Sequence, residues 1–259
     1  MSSLFDAHCH LQHPQFKNNI VEVLGRARST GIEEFMCCGM GEQDWEGVAW
    51  LAENITSIYP SFGLHPRKID IRNEIWSEKL INYLIRFPSA GIGEIGLDYS
   101  LASSTHKEQE RIFTSQLQMA QQLMRPVTVF CQYAWEKLVE ILNKIGPLPA
   151  GGLIRAYAGP PELIDKMEKA GFYISFTNWI CPARADEPRK AIGSVSCDRL
   201  CIESDTQYTV LPEQKAELNH PSVLGDICSA IAGIRDMTGQ DVAELTCKNA
   251  RRLFCSRAA

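Results

Sequence analysis

No stretch of about 18 consecutive apolar residues occurs in the chain, so no membrane-spanning helix is expected. The first residues lack a basic segment followed by an apolar run, and no secretory leader is expected. The ten cysteines form no CxxC pair. Cys37, Cys131 and Cys201 lie inside apolar, strand-like runs, where cysteine behaves as a small hydrophobe. Reduced thiols and a cytoplasmic setting are the reading. Basic charge is scarce as well, with a net charge of −5 and a pI near 5.7. A protein that grips a long duplex usually shows a basic stripe. Here the modest clusters "RKAIGSVSCDR" and "KNARRLF" fit solvated helix faces, so extended duplex binding is not expected; capture of a strand end stays open. Linkers, low-complexity tracts and internal repeats are missing too, so residues 1–259 are read as one domain and a monomer.

What is present is a soluble core-forming composition, 45% apolar and 22% charged. Short β-rich runs alternate with helical ones. The strand candidates are "LFDAHC", "EEFMCCG", "YPSFGLHP", "AGIGEIGLD", "PVTVFCQ", "GGLIRAY", "FYISFTN" and "RLCIESD". Between and after them, "DWEGVAWLAENI", "SEKLINYLIRF", "HKEQERIFTSQLQMAQQLM", "AWEKLVEILNKI" and "DVAELTCKNARRLF" repeat apolar residues at helical spacing. Eight strands with intervening helices in 259 residues match an α/β fold of the (β/α)₈ TIM-barrel type. A doubly wound open sheet is the second choice.

In such a barrel the active site forms where the strands end. His8 and His10 in "DAHCH" end the first strand, and their i, i+2 spacing sends both imidazoles from one face. Taken alone, the pair fits a metal site or two ordinary histidines equally well. His65 follows the third strand, Glu94 and Asp98 lie on the fourth and Asp205 follows the eighth. Glu94 in an apolar strand is costly without a partner. A salt bridge for Glu94, a cap for Asp205 and a turn cap for His65 before Pro66 are the structural alternatives.

Together, "DAHCHL", "GLHP", "GEIGLDY", "QERIFTSQLQMAQQLMRPV", "GFYISF", "ESD", "NHPSVL" and "NARRLF" resemble the TatD-like deoxyribonucleases, metal-dependent barrels of the amidohydrolase-like group. The resemblance implies two divalent ions bridged by Glu94, the first also held by His8, His10 and Asp205. It further implies one histidine after strand five and one after strand six for the second ion. Here "PVTVFCQYA" and "GGLIRAYAG" place Phe130 and Arg155 at those positions, and Gln132 where an arginine is usual. Cys131 cannot substitute, because the neighbour of an inward residue points to the helices. Phe130 offers no lone pair, and Arg155 repels a cation.

The expectation is therefore one divalent ion of the Zn, Mn or Mg type, held by His8, His10, Glu94 and Asp205. Asp205, Glu94 and Arg155 would carry the chemistry; His65, Arg155, Asp98 and Gln132 would contact substrate. At about 5 Å and an effective dielectric near 20, one guanidinium charge gives a phosphate about 3 kcal/mol. Arg155 could equally serve only to neutralise Glu94. The implied function is hydrolysis of phosphoester bonds at nucleic-acid ends, with single-stranded or terminal DNA as substrate. A non-catalytic barrel that binds a partner, and a one-metal hydrolase of a small amide or ester, are the alternatives. Tyr99, Tyr133 and Trp179 are candidates to stack a terminal base.

Overall fold

The computed structural model describes residues 3–181, 186–206 and 219–255. Eight strands follow in order: β1 (Leu4–Cys9), β2 (Ile32–Cys38), β3 (Ile58–Phe62), β4 (Gly91–Asp98), β5 (Val127–Gln132), β6 (Gly152–Ile154), β7 (Phe172–Phe176) and β8 (Leu200–Ile202). Each pairs in parallel with the next, so the spatial order equals the sequence order. The helices are α1 (Ile20–Ser29), α2 (Trp45–Asn54), α3 (Trp76–Arg86), α4 (His106–Gln122), α5 (Trp135–Ile145), α6 (Ile164–Lys169), α7 (Asp186–Ser194), α8 (Leu224–Arg235) and α9 (Gly239–Phe254). This is the (β/α)₈ barrel that the alternating pattern predicts. No helix among the described residues is long and apolar enough to cross a membrane, and all ten cysteines are free thiols.

Strand alternation divides the core. Val127, Val129 and Cys131 of β5, with Ile174 and Phe176 of β7, join the cluster packed on the surrounding helices. Phe5, Ala7, Met36, Leu153, Tyr173 and Cys201 form a second cluster with Leu253 and Phe254 of α9. Phe5, Leu153, Tyr173 and Cys201 lie near the starts of their strands. The C-terminal helix therefore plugs the barrel end opposite the strand termini. Alternation in β1 does not run straight through. A register shift between Asp6 and Cys9 changes parity, so Phe5 and Ala7 belong to the plug cluster while His10 lines the cavity above.

Beyond β8 the chain returns to β1. Asp205 N–H donates to His8 O, and His10 N–H to Thr206 O, both at 3.1 Å. Ser204 N–H donates to Asp6 Oδ1 at 2.9 Å, and its hydroxyl meets Asp6 Oδ2 at 2.5 Å. The seam of the barrel thus runs through the candidate site.

Asp6 is fully buried, and burial pushes its carboxyl up to about 7, against the opposing bonds from Ser204. Between roughly pH 4 and 7 the folded chain holds a proton that the unfolded chain releases, so stability falls as pH rises through that window. The contribution reaches at most about 1.4 kcal/mol per pH unit. Asp6→Asn is expected to flatten this slope in urea melts of metal-free protein. An unchanged slope would show that Asp6 is already ionised in the fold.

Candidate metal centre and its cavity

Four side-chain donors converge where β1, β4 and β8 end. His8 Nε2 and His10 Nε2 stand 3.0 Å apart. Glu94 Oε2 lies 3.6 and 3.5 Å from these nitrogens, and Asp205 Oδ1 lies 3.9 and 3.8 Å from them. A tetrahedral ion with bonds of about 2.1 Å separates its ligands by about 3.4 Å. The observed separations bracket that value. His10 Nδ1 donates to Cys38 O at 2.8 Å, which turns the Nε2 lone pair inward, as a metal ligand requires. His8, His10 and Asp205 bring ligand atoms within 4.8 Å of one another, a group that can hold a divalent ion, and Glu94 faces both histidines.

The electrostatics prepare two of these donors, His8 and Glu94. Burial, reinforced by Arg155, holds His8 well below its usual range and keeps it neutral. Burial alone would raise Glu94; Arg155, His65, His8 and His10 outweigh it and hold the carboxyl far below its usual value. Burial also opposes charge on His10, but Glu94 and Asp205 raise it. Neutral imidazole and ionised carboxylate are the forms that ligate.

His65 both caps a turn and faces the cluster. Its Nδ1 accepts from Arg67 N–H at 3.1 Å, and its Nε2 lies 3.5 Å from Glu94 Oε1. Because Nδ1 is an acceptor, Nε2 carries the proton and points it at Glu94, which leaves Oε2 for the histidine pair.

Arg155 follows β6 and is 6% exposed. Its Nη1 lies 3.3 Å from Glu94 Oε1, its Nε donates to Glu203 Oε1 at 3.1 Å, and its Nη2 pairs with Asp205 Oδ1. Phe130 fills the neighbouring wall, its ring centre 4.9 Å from that of His65 and 5.6 Å from the Arg155 guanidinium carbon. Cys131 is buried among the helix-side residues, as alternation requires.

Three positions at the strand ends adopt left-handed backbone: Tyr133 (φ 54°), Ala156 (φ 44°) and Asp205 (φ 47°). Residues with side chains seldom adopt this region, and such strain gathers at functional sites. In "GEIGLDY", Gly96 has φ 145°, and a Cβ there would lie 1.9 Å from Phe130 O. Only glycine lets β4 and β5 approach so closely at this level.

A cavity of about 600 Å³ opens above the donors, walled by His65, Arg67, Phe130, Gln132 and Arg155. Tyr133 and Trp179 stand at its rim, 73% and 54% exposed. Asp98 and Tyr99 are not among the cavity's lining residues. Asp98 is buried and accepts from Ser100 N–H at 3.0 Å, from Ser100 Oγ, and from Arg67 Nε at 2.7 Å. Tyr99 stacks on His106 at 3.8 Å and donates to Glu110 at 2.6 Å.

Two contributors escape a sequence reading. Glu203 is fully buried, and burial raises its carboxyl to about 7 despite Arg155 and the Ser175 hydroxyl. Its i, i+2 relation to Asp205 in "CIESD" was the available signal. Arg67, directly after "HP", carried none.

Comparison with known proteins agrees with this geometry. A profile of the TatD related DNase family matches residues 5–255. An uncharacterized metal-dependent hydrolase of Bacillus subtilis, YabD, is 29% identical over 254 residues, covering 97% of this chain and 98% of its own. A 3'-5' ssDNA/RNA exonuclease TatD of Edwardsiella piscicida is 29% identical over 263 residues, covering 97% and 99%. The crystal structure of YjjV, a TatD homologue of Escherichia coli, superposes with a TM-score of 0.92 at 24% identity, over 97% and 98% of the two chains. That likeness establishes the barrel. Since the profile spans β1 to α9 and takes in the seam, the cavity wall and the donor cluster together, the chain belongs to the TatD related DNase family of metal-dependent hydrolases.

Proposed function

We propose that the chain is a nuclease that cleaves phosphoester bonds at single-stranded nucleic-acid ends with one divalent ion, of the Zn, Mn or Mg type, held by His8, His10, Glu94 and Asp205. The observation that carries this reading is the cluster of His8, His10 and Asp205, whose ligand atoms lie within 4.8 Å of one another, with Glu94 facing both histidines beneath a cavity walled by a guanidinium. A divalent ion held by these residues would supply Lewis acidity to a water and to a phosphoryl oxygen. The Asp205 carboxylate can accept a proton beside the donor cluster. His65 fixes the Glu94 carboxylate, and Gln132 faces the space where substrate would lie.

Charge supports one ion rather than two. Glu94 and Asp205 against Arg155 leave one negative charge, and ionised Glu203 adds another. One divalent ion neutralises the cluster, whereas a second would leave strong positive charge in a buried space. Phe130 and Arg155, at the two positions where the family resemblance implies histidines, offer that second ion no ligand.

The cavity volume suits a nucleotide-sized ligand, and Tyr133 with Trp179 offers stacking surfaces to unpaired bases. The exonuclease names of relatives support a single-stranded DNA or RNA substrate. The free thiols and acidic net charge agree with a cytoplasmic monomer. Digestion of matched single-stranded and blunt duplex oligonucleotides tests the reading. Mononucleotides should appear from single strands at least about tenfold faster, given the missing basic stripe. Tight, salt-resistant duplex binding or equal duplex cleavage would contradict it.

A second reading has one specific observation behind it. Arg155 reaches the same Asp205 Oδ1 that faces the histidines, so the guanidinium could occupy the role of the ion in a non-catalytic, partner-binding barrel. Absence of bound metal after supplementation, with the fold intact, would favour that reading.

A further inference from the structure

Two guanidiniums wall the cavity, and they are not equivalent. Arg155 is enclosed, with its nitrogens directed at Glu94, Glu203 and Asp205. Arg67 is half-exposed, and among the described residues its one polar side-chain contact is Nε to Asp98 Oδ2 at 2.7 Å. A structural arginine–carboxylate pair is frequently bidentate through the fork of the guanidinium. Here the buried acid takes only the inner nitrogen, and Nη1 and Nη2 make no hydrogen bond to it. Phe130 supports the group, with its ring centre 5.4 Å from the guanidinium carbon. Lys68, the next residue, lines the same cavity.

We infer that Arg67 forms a phosphate-binding subsite, in which its outer nitrogens grip the non-bridging oxygens of the backbone phosphate next to the scissile linkage. Asp98, fixed by two donors from Ser100, is the positioning residue that aims it. Phe130 then has a function beyond filling space. It separates the guanidinium that serves the substrate from the one that serves the carboxylates, and keeps Arg67 from collapsing onto Glu94. The inference rests on the nuclease reading and adds the group that recognises the strand.

A short single-stranded oligonucleotide with one phosphate at a time replaced by a neutral methylphosphonate is the probe. Steady-state kinetics and fluorescence anisotropy are measured on wild type, Arg67→Ala, Arg67→Lys and Asp98→Asn. Arg67→Ala should raise KM about 10- to 30-fold and change kcat by less than about threefold, with Arg67→Lys intermediate. The slope of log KM against log salt should drop by about 0.7, the value for one phosphate contact on a single strand. Methylphosphonate beside the scissile linkage should weaken wild type and have little further effect on Arg67→Ala. Asp98→Asn should follow Arg67→Ala in the same direction.

The methylphosphonate scan on wild type needs no variant to fold, so the subsite can be rejected independently of mutant stability. Unchanged KM and salt slope in Arg67→Ala, a loss of kcat alone, or equal methylphosphonate effects in both proteins would overturn the role of Arg67 while leaving the nuclease reading intact. Wild type that neither binds nor cleaves the oligonucleotide would overturn both.

Discussion

Protein purified without chelator should carry close to one equivalent of divalent ion, and His8→Ala or Asp205→Ala should lose it together with nearly all hydrolytic activity. Each change removes one of the three residues, His8, His10 and Asp205, whose ligand atoms lie within 4.8 Å of one another. Positioning partners of metal ligands are worth about 10- to 100-fold in affinity or activity. Loss of a ligand should therefore exceed about 100-fold in metal affinity, and about a thousandfold in kcat/KM, or some 4 kcal/mol. His65→Ala removes the proton donor to Glu94 and the turn cap at Arg67, but no proposed ligand, so its effect should stay within the smaller range. Elemental analysis and metal-buffered titrations decide. Two equivalents at full occupancy would refute the one-ion reading, and an equal loss on His65→Ala would make that residue a ligand.

The second large effect belongs to Arg155. In metal-free protein, Arg155→Ala leaves Glu94, Glu203 and Asp205 without their shared cation. Breaking a buried ion pair from one side costs about 3–5 kcal/mol, so the chelated variant should melt far below wild type. Added divalent ion should recover much of that loss, because the ion replaces the missing charge. If Arg155 also balances charge during catalysis, activity should fall with metal content and fold intact. If it only neutralises the acids, stability and first-site affinity should change while turnover holds. Replacing both Phe130 and Arg155 by histidine should let a second ion bind, with activity above the parent, while either change alone should do much less. A folded double variant that takes no second ion would mean that these two side chains do not occupy the second-ion position.

The barrel was readable because each strand carries its own signal of apolar residues bounded by turn formers. "LFDAHC" coincides with β1, and "AGIGEIGLD" misses β4 by one residue. Misreadings concentrate at the strands' far ends. "YPSFGLHP", "GGLIRAY" and "RLCIESD" each run beyond the last paired residue of β3, β6 and β8. There the backbone leaves the ladder, at Ala156 and Asp205 through positive φ, to aim side chains across the mouth. Propensity cannot register that departure, because the same residues suit an extended chain.

The candidate donors are legible through the spacing of His8 and His10 and through an ionisable Glu94 in an apolar run. Arg67 is not, since its assignment depends on a one-point bond to Asp98 and on Phe130 arriving from another strand. The helices α1, α6, α7 and α8 also went unread; α6 has only six residues, and α1 exposes Val21 on an otherwise weakly patterned face. Such segments are held by the sheet they cover rather than by their own periodicity.

The seam has a consequence for how the chain is made. His8 and His10 leave the ribosome long before Ser204, Asp205 and Thr206, which lie at the other end of the barrel's strand order. Until then β1 has no partner on its β8 side, and the nascent histidines face no strand-eight carboxylate. Synthesis of the β8 segment thus joins both edges of the sheet and completes the candidate donor set in one event. A metal site that needs Asp205 can form in the growing chain only once the β8 segment has emerged, when the backbone bonds from Asp205 to His8 and from His10 to Thr206 can form.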